Sequence, residues 1–297
     1  MTKKTGANEM ADIPATLVVK LRKMSGQGMG DCKKALEETG GDLDKAMDIL
    51  RKKGLATLAK RAQRETTQGL VVGKTSADGK TAVLASLCCE TDFVANSDNF
   101  KAAAEKLAEY AMACAQNEGV ENILETETDG KKYKDLITEL VSKTGEKTEV
   151  GDYAKFQMGG TGLICTYIHF NKKVGTMVEF ETGDANAATS DEMKRTGADI
   201  AMHITATKPM SLDKSGIAAD VIEREKAIYA EQVKNKPANI VEKIVEGKMN
   251  KFFEENCLLE QKFVKDDTKT VLQVVNEAAK KAGGTAKIKR FVRFDVG

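Results

Sequence analysis

Net charge is nearly absent from this 297-residue chain, in which 46 lysine and arginine side chains stand against 45 aspartates and glutamates, an excess of +1. A surface without a net field has nothing to hold a polyanion, so direct binding of nucleic acid is not expected. Long apolar runs are missing as well. None approaches the roughly 20 residues that a membrane span requires, so no membrane association is expected and the protein reads as cytoplasmic. The opening segment, MTKKTGANEMADIP, has neither the apolar core of a signal peptide nor the arginines of a transit peptide. Residues 1–12 read as a short disordered arm.

Chemistry-bearing groups are equally scarce. The two histidines, His169 and His203, have no second ligand at helical or hairpin spacing, so no metal site is expected. The signatures G-x-x-x-x-G-K-[ST], G-x-S-x-G and H-E-x-x-H do not occur. G-Q-G-M-G at residues 26–30 lacks the preceding strand and following lysine of a phosphate cradle. The six cysteines (Cys32, Cys88, Cys89, Cys114, Cys165 and Cys257) form no C-x-x-C pair and sit among apolar neighbours, as reduced buried thiols do. Cys88 and Cys89 are adjacent in a strand-like run and point to opposite faces. No cofactor is expected.

What the chain does have is pattern. Residues 13–54 read as three short helices sharing one core. Ile13, Leu17, Val18, Leu21 and Met24 recur at helical spacing, Asp31 and Asp42 are candidate caps for the second and third helices, and Gly54 ends the third. Residues 55–68 read as a basic helical linker. Leu70–Thr75 and Lys80–Cys89 are strand-like and joined by S-A-D-G, a hairpin signal. C-E-T-D-F-V-A-N follows at 89–96 and places an acid and a bare phenylalanine, Asp92 and Phe93, in a surface turn. Ser97 then opens a long helix, and another fits Lys131–Thr144.

The chain also repeats itself. Gly69-Leu70-Val71, Glu90-Thr91, Ser97-Asp98, Lys101 and Ala111-Met112 find counterparts in Gly162-Leu163-Ile164, Glu181-Thr182, Ser190-Asp191, Lys194 and Ala201-Met202. Residues 69–160 and 161–297 therefore read as related halves, each a β-hairpin leading into a long helix. Where the first half has T-D-F-V-A-N, the second has T-G-D-A-N-A-A-T, so the shared scaffold does not demand an aromatic there. Two helical patterns joined by N-K-P-A-N form a hairpin over 217–254, inserted in the second half. The expected fold class is α+β: a three-helix module, a two-part core and an inserted helical hairpin.

M-G-D-C-K-K-A-L-E-E at 29–38, C-E-T-D-F-V-A-N at 89–96 and I-A-M-H-I-T-A-T-K-P at 200–209 closely resemble elongation factor Ts. That family exchanges the guanine nucleotide of the translational GTPase elongation factor Tu and has no covalent chemistry of its own. The resemblance implies a ubiquitin-associated-like N-terminal module and a coiled-coil-type dimerisation hairpin, with elongation factor Tu as partner in GDP-bound and nucleotide-free forms. It implies self-association, as a homodimer or a heterotetramer, through the hairpin. Thr91, Asp92, Phe93 and Val94 match the loop linked to dislocation of the partner's Mg²⁺. Leu21, Met29, Lys33 and His203 fall where relatives touch a helix of the GTPase. Gly30 stands where many relatives have a second methionine, Asn96 replaces a frequent lysine, and the chain ends at Gly297, before the C-terminal extension some relatives carry. On the residues alone two other readings stay open. One is an adaptor whose helical module binds a ubiquitin-like or nascent chain; the other is a cytosolic enzyme using the Cys88–Cys89 pair, which needs a reactive thiol.

Overall fold

The computed structural model describes residues 13–297, so the arm expected over 1–12 lies outside the described residues. Helices α1 (Ala15–Ser25), α2 (Met29–Thr39) and α3 (Leu43–Arg61) come first. They enclose Val18, Leu21, Cys32, Ala35, Leu36, Ala46 and Leu50. Gly26 and Gly40 end α1 and α2 in left-handed backbone, with φ of 67° and 63°, which glycine adopts without a Cβ penalty. Asp42 caps α3 by accepting from the amides of Asp44 and Lys45. Asp31 is not a cap. Gly28 holds that position, and Asp31 sits in the first turn with its carboxylate 2.6 Å from Lys53 Nζ. Met24 lies on the outer side, 52% exposed, rather than inward.

The first half begins with β1 (Gln68–Thr75) and β2 (Thr81–Cys89), an antiparallel hairpin turning at Gly79. There follow a single turn α4 (Asp92–Ala95), α5 (Asp98–Ala113), α6 (Val120–Glu125), the small hairpin β3 (Glu127–Thr128) and β4 (Lys131–Lys132), then α7 (Tyr133–Thr144) and β5 (Thr148–Gln157). The sheet order is β1-β2-β5. Phe100 and Leu107 of α5 and Tyr133, Ile137 and Val141 of α7 share a core with Leu70, Val83 and Leu87 of the sheet. Gly54 does not end a helix: α3 runs on through it to Arg61 and crosses α7 so closely that a Cβ there would lie 2.5 Å from the Thr138 carbonyl oxygen. The expected short third helix and the expected linker helix are one continuous element.

The second half repeats this order. It runs β6 (Gly162–Ile168), β7 (Val174–Thr182), a short α8 (Ala185–Thr189) and a long α9 (Asp191–Thr207). Next come α10 (Ala219–Gln232) and α11 (Ala238–Asn256), a small hairpin of β8 (Lys262–Phe263) and β9 (Asp266–Thr270), then α12 (Val271–Lys281) and β10 (Ala286–Asp295). Its sheet order is β10-β7-β6, so in both halves the last strand joins the second strand of the opening hairpin. The α10–α11 pair occupies the place of α6. It packs on itself through Ile222, Tyr229, Val245 and Met249 and roots at Ile217, Phe252 and Cys257. α10 buries none of its described residues, and Ile240 of α11 is 43% exposed.

The two sheets pack face to face through Val71, Leu84, Cys88 and Phe156 of the first and Ile164 and Met177 of the second. Strand β2, covered by helices on one side and by the second sheet on the other, is buried from Ala82 to Cys89, which explains its continuous apolar run. Gly175 permits this approach: a Cβ there would lie 2.7 Å from Val71 Cγ1. Among the described residues no helix is long and apolar enough to cross a membrane.

Candidate functional site

Strand β2 stops at Cys89, and the next residues fold as a capped turn instead of an open loop. Thr91 Oγ1 accepts from the Val94 amide at 3.4 Å, Asn96 donates its backbone and side-chain N–H to Asp92 O at 2.9 Å each, and Ser97 Oγ donates to Val94 O at 2.7 Å. Alternation around this single turn decides what faces where. Ala95 is buried and Val94 packs against the first-half core. Asp92 is exposed, and its carboxylate makes no hydrogen bond among the described residues. Phe93 is 86% exposed. Leaving such a ring in water forgoes roughly 1.5–3 kcal/mol of burial, and among the described residues nothing covers it.

A second exposed ring was not anticipated from the sequence. Phe170, at the tip of the β6–β7 hairpin, is 88% exposed and touches the His169 ring at a tilt, with ring centroids 4.4 Å apart and planes at 51°. His169 Nδ1 lies 3.2 Å from the Tyr167 hydroxyl. The tip is anchored beside β1: Lys172 O accepts from the Val71 amide at 2.7 Å, and Lys173 Nζ donates to Gln68 Oε1 at 2.7 Å. Gln68 in turn pairs with Cys89, the residue from which the Thr91–Val94 turn departs. The segments that carry Phe93 and Phe170, the most exposed large apolar side chains among the described residues, thus share Gln68 as an anchor. The signal was present in the sequence, since Phe170 adjoins a polar turn as Phe93 does, but the shared anchor at Gln68 was not.

The remaining candidates divide by burial. Met29, at the start of α2, is 42% exposed, and Lys33 points outward with an ion pair to Glu37 at 3.7 Å. Leu21 is fully buried between the three helices. His203 is fully buried too. Its Nδ1 accepts from the Val264 amide at 3.3 Å, so Nε2 carries the hydrogen and donates to Gln261 Oε1 at 2.9 Å. Burial pulls its pKa below the ordinary histidine value, with the Gln261 bond partly offsetting. Neither Leu21 nor His203 presents a surface; they shape the elements that carry Met29, Lys33 and the second-half hairpin.

The alternative built on cysteine finds no support. Burial pushes the Cys89 thiol up to about 12, with Glu146 adding to it, and burial likewise raises Cys88. Neither is a thiolate near neutral pH, so neither is a ready nucleophile. Among the described residues no group of three or more His, Cys, Asp or Glu could hold a metal.

Comparison with known proteins agrees with the architecture. The family model described as Elongation factor TS matches residues 90–297. The chain is 45% identical over 289 residues to the elongation factor Ts of a Nitratiruptor species, spanning 96% of this chain and 93% of that protein. It is 40% identical over 292 residues to that of Desulfovibrio desulfuricans (97% and 99% covered), and 39% identical over 290 residues to that of Trichlorobacter lovleyi (96% and 93%). With the family model matching residues 90–297 and relatives of nearly equal length 39–45% identical, the chain belongs to the elongation factor Ts family.

Proposed function

We propose that this protein binds GDP-bound elongation factor Tu, dislocates its Mg²⁺ and releases GDP, so that GTP can enter the emptied site. The observation that carries this reading is Phe93, 86% exposed on a capped turn. A GTPase holds GDP through backbone donors and a Mg²⁺ that bridges phosphate oxygens. Ejecting the nucleotide breaks no covalent bond; it requires a partner that prefers the empty form. By linkage, the factor weakens GDP binding as much as GDP weakens binding of the factor.

Magnitudes decide how large the surface must be. A shift of about ten-thousandfold needs about 5.5 kcal/mol of differential binding, and burying one Phe side chain supplies roughly 1.5–3. Phe93 alone is too weak, so contacts beyond it are required. The Phe170–His169 tip shares its anchor at Gln68, and Met29 and Lys33 lie on the outer face of the helical module. Phe93 enters between elements beside the metal and shifts its ligands; Asp92 competes for polar groups there; Thr91 and Val94 fix the turn. Leu21 and His203 support the contact surfaces from beneath. The N-terminal bundle is ubiquitin-associated-like, and the α10–α11 hairpin is the self-association element. The setting is the cytoplasm, with no direct role for nucleic acid or membrane.

The test is stopped-flow release of fluorescent GDP from elongation factor Tu. Acceleration by the wild type and its loss in Phe93→Ala support the reading. Indistinguishable affinity for GDP-bound and nucleotide-free partner defeats it. Binding of a ubiquitin-like chain by the N-terminal bundle, with no effect on the GTPase, supports the adaptor instead.

A further inference from the structure

Two acidic residues at the root of the exposed turn hold each other's chain. Glu90, just after β2, accepts from the Lys147 amide through Oε1 at 2.6 Å. Glu146, just before β5, accepts from the Thr91 amide through Oε2 at 3.0 Å and from the Thr91 hydroxyl through Oε1 at 2.7 Å. Each carboxylate thus bonds the backbone next to the other, a crossed clamp between segments 55 residues apart. Arg61, the last residue of α3, donates from Nη1 to both Glu90 oxygens at 2.7 Å. The clamp is therefore tied to the helix that carries the N-terminal module. Burial alone would raise the Glu90 pKa, but the Lys147 amide and the Arg61 and Arg64 guanidiniums outweigh it and keep the group below the usual carboxylate range.

The second half offers an internal comparison. Glu181 and Thr182 take the places of Glu90 and Thr91, yet Glu181 pairs with the Lys287 and Lys289 side chains, and the Thr182 amide bonds a carbonyl, Thr161 O. The short helix there buries Ala187 and Ala188 and carries no aromatic. The carboxylate clamp occurs in the half whose short helix after the second strand projects a phenylalanine. A single four-residue turn cannot hold itself, because one turn of helix repays little of its ordering entropy.

We propose that Glu146 is a positioning residue for nucleotide exchange: with Glu90 and Arg61 it fixes the Thr91–Val94 turn so that Phe93 is presented rigidly to the partner. This rests on the exchange reading above. It acts on the step after docking, since neither Glu146 nor Glu90 forms part of the exposed edge.

The experiment measures stopped-flow release of fluorescent GDP from elongation factor Tu over a range of factor concentrations. It compares wild type, Glu146→Ala, Glu146→Gln, Phe93→Ala and the Phe93→Ala/Glu146→Ala double variant. Glu146→Ala lowers the maximal release rate about tenfold, the loss expected for a bond to a charged acceptor, while the half-saturating concentration stays within about twofold. Glu146→Gln, which keeps one acceptor for the Thr91 amide, falls between. The double variant matches Phe93→Ala alone, because the clamp works through that ring. An unchanged maximal rate for Glu146→Ala, a loss confined to half-saturation, or additive losses overturns the proposal. Amide hydrogen exchange on the free proteins separates this from failure of the exchange reading. Residues 91–95 exchange faster in Glu146→Ala while the β1-β2-β5 sheet keeps its protection. Unchanged exchange in the turn overturns the clamp even if the wild type fails to release GDP, a result that would count against the exchange reading alone.

Discussion

The guanidinium of Arg290 lies 4.0 Å from the ring centroid of Phe156, so a strand of the second sheet is pinned to a strand of the first. The same Arg290 donates from Nε to Glu179 Oε2 at 2.6 Å, and Lys289 Nζ reaches the other oxygen at 3.0 Å. Glu179 is fully buried. A buried carboxylate is tolerated only when paired, and losing one partner costs more than the pair contributes. Arg290→Met is expected to cost roughly 2–4 kcal/mol, read as a lower urea midpoint. Arg290→Lys recovers less than half of it, because lysine lacks the planar fork that can stack and donate together. An unchanged midpoint in Arg290→Met would mean that Lys289 alone neutralises Glu179.

Phe93→Ala is expected to fold like the wild type, since the ring contacts so little of its own chain. Unfolding stability stays within about 0.5 kcal/mol, whereas GDP release from elongation factor Tu slows by about tenfold or more, the scale of one buried aromatic. Unaltered release kinetics would remove Phe93 from the mechanism.

Phe170→Ala tests the second ring separately. It should weaken association with elongation factor Tu by about five- to tenfold, as truncating an aromatic anchor does, and leave thermal unfolding unchanged. His169→Ala should act in the same direction, because His169 supports that ring at 4.4 Å. Equal affinities, measured by titration calorimetry, would restrict the contact edge to the Thr91–Val94 turn.

Gly54→Ala sets two effects against each other. Helix propensity alone favours alanine by about 1 kcal/mol. The added Cβ, however, would meet the Thr138 carbonyl oxygen at 2.5 Å and Ser142 Cβ at 3.0 Å, so α3 must move off α7. Overpacking of this kind costs about 1–3 kcal/mol, and the net expectation is a lower melting temperature. A more stable Gly54→Ala protein would show that the crossing adjusts freely.

His203 should make stability depend on pH. Its folded-state pKa lies below the ordinary value of 6.5 because burial disfavours the charged ring. The unfolded chain therefore takes up a proton first. The contribution of the neutral histidine is fully present above pH 6.5 and declines as pH falls from there toward the folded-state value. Protonation would also set an Nδ1–H against the Val264 amide. Urea midpoints measured between about pH 5 and 8 should show this slope, and His203→Gln should flatten it; identical profiles would assign the slope to other groups.

Much of this protein follows from local rules that a sequence carries openly. Asp42 and Ser97 cap helices where their positions say they should, S-A-D-G turns a hairpin, and the helical face led by Phe100 and Leu107 is buried. Each of these depends on groups a few residues apart, so the chain determines them by itself. The three family motifs, and the aromatic in a polar turn, are likewise visible in one dimension.

What only the tertiary structure decided involves groups far apart in the chain. Strand β5 carries a lysine, Lys155, whose ammonium is buried, donating to Met112 O and Cys114 O at 2.8 Å each where α5 ends. Gly54 reads as a helix stop until α7 is laid against it. Leu21 and His203, which the resemblance puts at contact positions, are closed over by their neighbours. Lys173, at the foot of the Phe170 tip, reaches Gln68 through a bond spanning 105 residues, and Glu146 reaches Thr91 across 55. Periodicity and capping fix which elements form, because their energies come from the nearest turn of chain. Which polar groups end up buried together, and which rings are left in water, depends on how those elements pack.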